Sequence, residues 1–216
     1  MTSQQEEARN EKFGYVCRAC SRCCAHKLIQ VNPYEAARLA RRTGQTIASF
    51  IANCTEEGGA YLKRTDDDVC IFLNEKGCSV HPDRPLVCRL YPLGRRAAPD
   101  GTEVWLKTVP HPQSEGEYTE KGTIADFIAA QGALPFMRAA DEYAEWVRKA
   151  DAVIQKEAEA DEGEPIPNDL LDMDAAISTY CAQKGTGEPS DIEDRRKLHL
   201  EILYRQLDRF DGGDDD

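Results

Sequence analysis

Seven cysteines crowd into two short stretches of a 216-residue chain, and nothing else in the sequence limits its fold so strongly. The first stretch is Cys17-x2-Cys20-x2-Cys23-Cys24. The second is Cys70-x7-Cys78-x2-His81-x2-Arg84-Pro85-x2-Cys88-x2-Tyr91-Pro92. Two more cysteines, Cys54 and Cys181, stand alone. The total of nine is odd, and Cys23 and Cys24 are adjacent. Residues 1–16 carry Glu6, Glu7, Arg9, Glu11 and Lys12 without an apolar run, so no secretory leader is read here. A disulfide framework is therefore the weaker expectation. A metal or redox site in a reducing, cytoplasmic setting is the stronger one.

Thiolate is a soft donor, which selects zinc, Cu(I) or iron–sulfur clusters over calcium or magnesium. Two local geometries are open for the first stretch. As a helix it would put Cys17, Cys20 and Cys24 on one face. As a loop it would let Cys17, Cys20 and Cys23 wrap one centre, as in ferredoxin-type spacing. In either case Cys23 and Cys24 are not expected side by side on one ion; one of them should serve a second centre, bridge, or pack. The expected metal ligands are Cys17, Cys20, Cys23, Cys24, Cys70, Cys78 and Cys88. His81 is either a further ligand or a turn residue. Seven thiols and one imidazole are enough for two tetrahedral zinc sites. Alternatively, four thiols hold one 4Fe–4S cluster and the rest stand in reserve. No pair of zinc-ribbon knuckles at the usual spacing is present, which favours iron–sulfur. Cys54 and Cys181, each alone on an expected helix, read as small buried hydrophobes.

Charge narrows the function further. The net charge is −12. Residues 1–150 are balanced, with 20 acidic and 20 basic side chains, while residues 151–216 hold 19 acidic and 7 basic. Such a chain is a poor general nucleic-acid binder, because phosphate neutralisation needs a surplus of Lys and Arg. No apolar run approaches the ~18 residues of a membrane span. Neither nucleic acid nor membrane is thus an expected partner; a protein partner stays open. Residues 17–96 are locally basic, with 13 basic and 8 acidic side chains. Arg18, Arg22, Arg84, Arg89, Arg95 and Arg96 lie near the cysteines, where positive charge favours thiolate. His26, His111 and His199 read as surface or packing residues, and Tyr91 and Trp105 as core. No Gly-rich phosphate loop, Gly-x-Ser-x-Gly or His-Glu-x-x-His occurs.

Local signals give the outline. Asn32-Pro33-Tyr34-Glu35 opens a helix with a cap, a proline at its first position and a capping-box carboxylate, and Gly44 ends it. A second helix runs from Thr46, with Ile47, Phe50 and Ile51 on one face. Short strands are expected at 60–65 and 69–73, a turn at 74–77, a returning strand at 78–81, and a helical turn at 86–90. Residues 104–109 read as a strand. Helices are expected at 123–131, 135–160, 168–183 and 190–210, with an acidic linker at 161–167. The heptads from Thr46 and Thr123 match at six of seven positions and read as two similar amphipathic helix starts.

The whole constellation, including Arg84-Pro85 and Tyr91-Pro92, resembles the bacterial YkgJ-type cysteine-cluster family over about residues 15–95. That resemblance implies a zinc- or iron-chelating domain. One branch with a similar cluster, flagellin lysine-N-methylase, is associated with an iron–sulfur centre, but only the cluster is shared. The expected architecture is α+β. A cysteine-rich metal-binding domain over 13–110, with a small hairpin and helices, precedes a helical region over 123–210, and 1–12 and 211–216 form flexible tails. The expected function is metal binding through an iron–sulfur cluster or zinc, with a redox or partner role. The alternatives are a zinc-stabilised interaction module and a protein-lysine N-methylase-like enzyme.

Overall fold

The structure, a computed structural model, describes residues 8–160 and 172–210. The expected linker at 161–167, the tail at 211–216 and residues 1–7 lie outside the described residues. The described chain is a mixed α+β protein. Its eight strands form four antiparallel pairs: β1 (Lys12–Val16) with β8 (Glu117–Thr123), β2 (Thr55–Glu56) with β3 (Tyr61–Leu62), β4 (Leu73–Asn74) with β5 (Gly77–Cys78), and β6 (Leu93–Ala97) with β7 (Glu103–Lys107). Seven α-helices lie wholly within the described residues: α1 (Pro33–Thr43), α2 (Ile47–Cys54), α3 (Leu86–Leu90), α4 (Ile124–Ala130), α5 (Leu134–Ala160), α6 (Met173–Lys184) and α7 (Ile192–Phe210).

Sequence suggested boundaries at 13–110 and 123–210. The chain divides into two compact units, each discontinuous in sequence: Met1–Val31 with Ala52–Arg138, and Asn32–Ile51 with Ala139–Asp216. The division falls inside α2 and α5.

The first unit is built on one apolar cluster of Phe13, Leu90, Leu93, Ile124, Phe127, Ile128, Ala133 and Met137. Phe13 on β1 meets Phe127 on α4 edge-to-face, with ring centroids 4.9 Å apart. The start of α4 is fixed by Thr123. Its hydroxyl accepts from Asp126 N at 3.2 Å, and the Asp126 carboxylate accepts from Thr123 N at 2.9 Å. That box aims Ile124, Phe127 and Ile128 into the cluster. Trp105, on β7, packs against the same cluster, while its neighbours Val104 and Leu106 face outward, as strand alternation requires. The expected strands at 60–65 and 69–73 shrink to β3 and the first arm of the β4–β5 hairpin. Their polar runs leave little apolar alternation to pair. β1, β6 and β8 carry too many polar or small residues to be read as strands from sequence.

In the second unit the expected signals at α1 are realised. Asn32 Oδ1 accepts from Glu35 N at 3.1 Å, Glu35 Oε2 accepts from Asn32 N at 3.0 Å, and Gly44 closes the helix in the left-handed conformation. α1 packs on α6 and α7, and α6 packs on α7. Tyr34 donates to Glu193 at 2.6 Å. Arg196, almost fully buried, pairs with Glu142 and Glu193. His199 is fully buried, with Nδ1 2.8 Å from the Tyr143 hydroxyl. Buried polar groups matched in this way rigidify a helical core.

Residues 8–12, expected to fray, are tied down. Arg9 Nε and Nη2 each donate to the Glu103 carboxylate at 2.7 Å, and Arg95 Nη2 reaches it at 2.6 Å. The Glu103 side chain is 1% exposed. Burial by itself raises its pKa, but hydrogen bonds and charge from the two guanidiniums outweigh that and hold it below the ordinary glutamate value. A depressed folded pKa contributes stability above the unfolded value, lost as pH falls through the folded one. Glu103→Gln removes the charge shared by two half-buried guanidiniums and should destabilise the protein by about 2 kcal/mol near neutrality. Wild-type stability should decline as pH falls below about 4.3, and the variant should show less of that decline. Urea unfolding across that range measures both.

Candidate metal centre

The first cysteine stretch is a loop. Ala19 and Ser21 have positive φ angles of 53° and 58°, which no α-helix accommodates, and only a single 3-10 turn forms at Arg22–Cys24. Beyond it the chain pairs with the second stretch. Ala25 bridges Val69 antiparallel, Cys70 N donates to Cys24 O at 2.9 Å, and His26 N donates to Asp68 O at 2.9 Å. His26 Nδ1 lies 3.0 Å from Asp68 Oδ2, and Asp68 also pairs with Arg64. These bonds bring Cys24 beside Cys70 across 46 residues of sequence.

The other two thiols arrive on separate small elements. The expected turn at 74–77 closes the β4–β5 hairpin, in which Leu73 faces Cys78. Gly77 has φ 98°, and a Cβ there would lie 3.4 Å from Ser21 Oγ, so the hairpin rests against the first loop. After the turn His81–Asp83, Pro85 starts α3, and Cys88 N donates to Pro85 O at 3.0 Å. Two arginines brace this turn. Arg89 is buried, donates to Gln131 O at 2.9 Å and Pro82 O at 2.6 Å, and stacks on the Phe136 ring at 3.8 Å. Arg84 donates to His81 O at 2.8 Å and Gln131 Oε1 at 2.6 Å. Arg18, Arg22 and Arg96 are exposed.

Electrostatics divide the seven clustered thiols. Cys23 and Cys24 are adjacent, and each thiol acts on the other. The Cys24 thiol brings Cys23 down to about 6, against the opposing effect of burial and with help from Lys27 and Arg84. Cys24 is pushed up in turn by Cys23, by burial, and by the charges of Cys78 and Cys88. Burial raises Cys70, and Cys78 and Cys23 add to the rise. Burial also raises Cys78, opposed by the Val80 backbone and by Arg84 and reinforced by Cys23. Cys23, Cys24, Cys70, Cys78 and Cys88 therefore feel one another. Cys20 sits apart, its pKa lowered by hydrogen bonds from the Glu115 and Arg22 backbone and from Ser114. Cys17 is exposed, with Ala19 N 3.4 Å from its sulfur. His81 is exposed in its turn, 3.4 Å from Arg84 Nη1; burial, then Arg84 and Arg89, hold its pKa below the usual histidine value.

Lys27, which sequence reasoning passed over, and Tyr91, which it read as core, belong to this neighbourhood. Lys27 Nζ lies 3.1 Å from the centre of the Tyr91 ring; burial holds its pKa below the usual lysine value, opposed by the charges of Cys23, Cys88 and Cys24. The Tyr91 hydroxyl accepts from His111 N at 2.9 Å and feels Cys23 and Cys20. Their signal was spacing: Lys27 follows Cys24 by three residues, and Tyr91 follows Cys88 by three.

All nine cysteines are free thiols. Cys54 ends α2, and Cys181, on α6, is 3% exposed with its sulfur 3.7 Å from Gly187 O. Among the described residues, no three Cys, His, Asp or Glu side chains stand close enough as placed to hold one ion. The donor set nonetheless fits a soft metal: five coupled thiols, with Lys27 and Arg84 as neighbouring cations. Four thiolates on Zn²⁺, or on a 4Fe–4S core of charge 2+, leave a net −2 that such cations offset.

Residues 16–109 match a family named CxxCxxCC, described as "Putative zinc- or iron-chelating domain". No curated protein and no solved structure matches the chain. No helix among the described residues is long and apolar enough to cross a membrane. The match agrees with the spacing of the thiols: residues 16–109 form a domain of the CxxCxxCC, or YkgJ-type, family, whose description names zinc or iron as the chelated metal.

Proposed function

We propose that this domain holds its metal as a 4Fe–4S cluster, bound by four of the clustered thiolates, in a redox role or in the service of a protein partner. One observation carries the reading. Cys70, Cys78 and Cys88 come singly, on a bridge, a hairpin and a short helix, toward the adjacent pair Cys23-Cys24. They do not come as two Cys-x2-Cys knuckles, the usual frame of a structural zinc. Cys23, Cys24, Cys70, Cys78 and Cys88 are the first candidates as ligands, with Cys17, Cys20 and His81 in reserve. A bound cluster supplies one-electron chemistry. The chain supplies thiolates, a basic surround and a partly buried setting that tunes the potential.

The second reading is a zinc-stabilised interaction module. It is favoured by the two-residue strands β2 to β5, which are too short to be stable alone and gain from a metal staple.

Purification without oxygen, followed by elemental analysis and a visible spectrum, separates the two. Iron with matching acid-labile sulfide and a brown colour is expected. Zinc without colour supports the second reading. Less than about a tenth of an equivalent of either metal would contradict chelation by the folded domain. Single serine variants extend the test. Replacing Cys24, Cys70 or Cys78 exchanges a soft thiolate for a weak hydroxyl donor and should lower metal per chain. Cys54→Ser and Cys181→Ser should cost only ~1–3 kcal/mol for a buried hydroxyl and leave the metal content at the wild-type value.

A further inference from the structure

Thiolate centres carry excess negative charge, and the groups that neutralise it are as much part of the site as the ligands. Arg84 lies near Cys23 and Cys78, but its guanidinium is directed to His81 O and Gln131 Oε1. Arg89 is directed to Pro82 O, Gln131 O and the Phe136 ring. Lys27 is placed differently. Its ammonium sits on the face of Tyr91, a ring held from the other end by His111 N. The ring fixes a cation in position without neutralising it, because a quadrupole attracts the charge but carries none of its own. Tyr91 in turn follows directly on the helix that carries Cys88, and Lys27 follows directly on the loop that carries Cys23 and Cys24.

We infer that Lys27, clamped on the Tyr91 ring, is the positioned cation that balances the thiolate centre and sets its affinity for metal and, for iron, its reduction potential. This rests on metal chelation by the clustered thiols, whichever metal is native. Lys27 acts through charge at a distance and is a positioning residue, with no bond to the metal required. Lys27 stands three residues beyond Cys24 and Tyr91 three beyond Cys88, so the contact between them sets the ammonium beside both segments that supply donors. A guanidinium at the same point keeps the charge and stacks equally well on an aromatic face, whereas an apolar side chain of similar length keeps only the packing.

The test uses the full chain, freed of metal and titrated anaerobically with Co²⁺. The sulfur-to-cobalt charge-transfer bands count the thiolates, and competition with a chelator gives the affinity. Lys27→Met should weaken Co²⁺ binding about ten- to a hundredfold, the usual cost of losing an outer-shell partner, with the thiolate count unchanged. Lys27→Arg should recover most of that loss. Tyr91→Phe should behave like wild type, and Tyr91→Leu, which removes the ring, should fall toward Lys27→Met. In iron-loaded protein Lys27→Met should move the reduction potential to more negative values, because the reduced centre carries one more negative charge. If wild type binds Co²⁺ and Lys27→Met binds it equally well, the inference is overturned while chelation stands. Equal weakening in Lys27→Met and Lys27→Arg, with a fall in unfolding midpoint, also overturns it in favour of a packing role. If wild type itself shows no thiolate–cobalt bands, chelation and the inference fall together.

Discussion

Two backbone hydrogen bonds between residues 24–26 and 68–70 carry the architecture around the cysteines. The bonds from Cys70 N to Cys24 O and from His26 N to Asp68 O, which together make the Ala25–Val69 bridge, join two segments that are remote in sequence. Every further placement follows from that joint. Once Cys70 lies beside Cys24, the short chain to the β4–β5 hairpin brings Cys78 to the same place, and Gly77 lets the hairpin settle on Ser21. The turn that follows leads to Cys88. Closing a loop of this length costs conformational entropy that grows only slowly with length, so a few bonds and a converging set of thiols suffice to hold it.

The joint alone would be weak, and buried cations reinforce it. Arg89 is the clearest case: its donors go to two backbone carbonyls, and its face lies on Phe136. This ties the Cys88 turn to the segment between α4 and α5, and so to the apolar cluster of the first unit. Glu103 with Arg9 and Arg95 does the same for the β6–β7 hairpin and the chain leading into β1. In both places a guanidinium satisfies several acceptors at once from a planar fork, which an ammonium could not do. The arginines near the cysteines therefore divide by role. Arg89 and Arg95 build the frame, Arg84 does so while also acting on the thiols, and Arg18, Arg22 and Arg96 face solvent.

Much of this was legible in the sequence, and the limits have physical causes. The caps at Asn32 and Thr123 are local, since a side chain and its acceptor lie three residues apart, so α1 and α4 could be read directly. The turn at 74–77 and the helical turn at 86–90 are local in the same sense. β1 and β8 were not legible: Phe13 and Tyr15 are separated by glycine, β8 is almost wholly polar, and their pairing spans the whole first unit. The candidate site shows the same division. Thiol identity was plain, but the grouping was not, because the choice between helix and loop for residues 17–24 depends on left-handed backbone at Ala19 and Ser21, types that do not advertise it. Lys27 was missed, and Tyr91 was read only as core, for a related reason. Neither is a metal ligand, and only the folded chain brings one onto the face of the other.

The division of the seven thiols into a coupled five and an outer two connects fold to chemistry. Five sulfurs close enough to influence one another cannot all ionise without mutual repulsion, so protons stay on some of them, as on Cys24 beside Cys23. A soft cation removes that conflict by replacing those protons, and the gain is returned as stability of the small elements that carry the donors. Cys17 and Cys20 lie outside the conflict, on a loop with two residues in strained left-handed backbone, Cys17 exposed and Cys20 held by the Glu115 backbone and Ser114. The inner five are thus the part of the site whose energy metal changes most. Two of the nearest cationic side chains are held in place, Lys27 on an aromatic ring and Arg84 on neutral oxygen acceptors. A frame braced by cations and thiols that repel one another until a metal arrives is a fold whose metal affinity and local stability are set by the same charges.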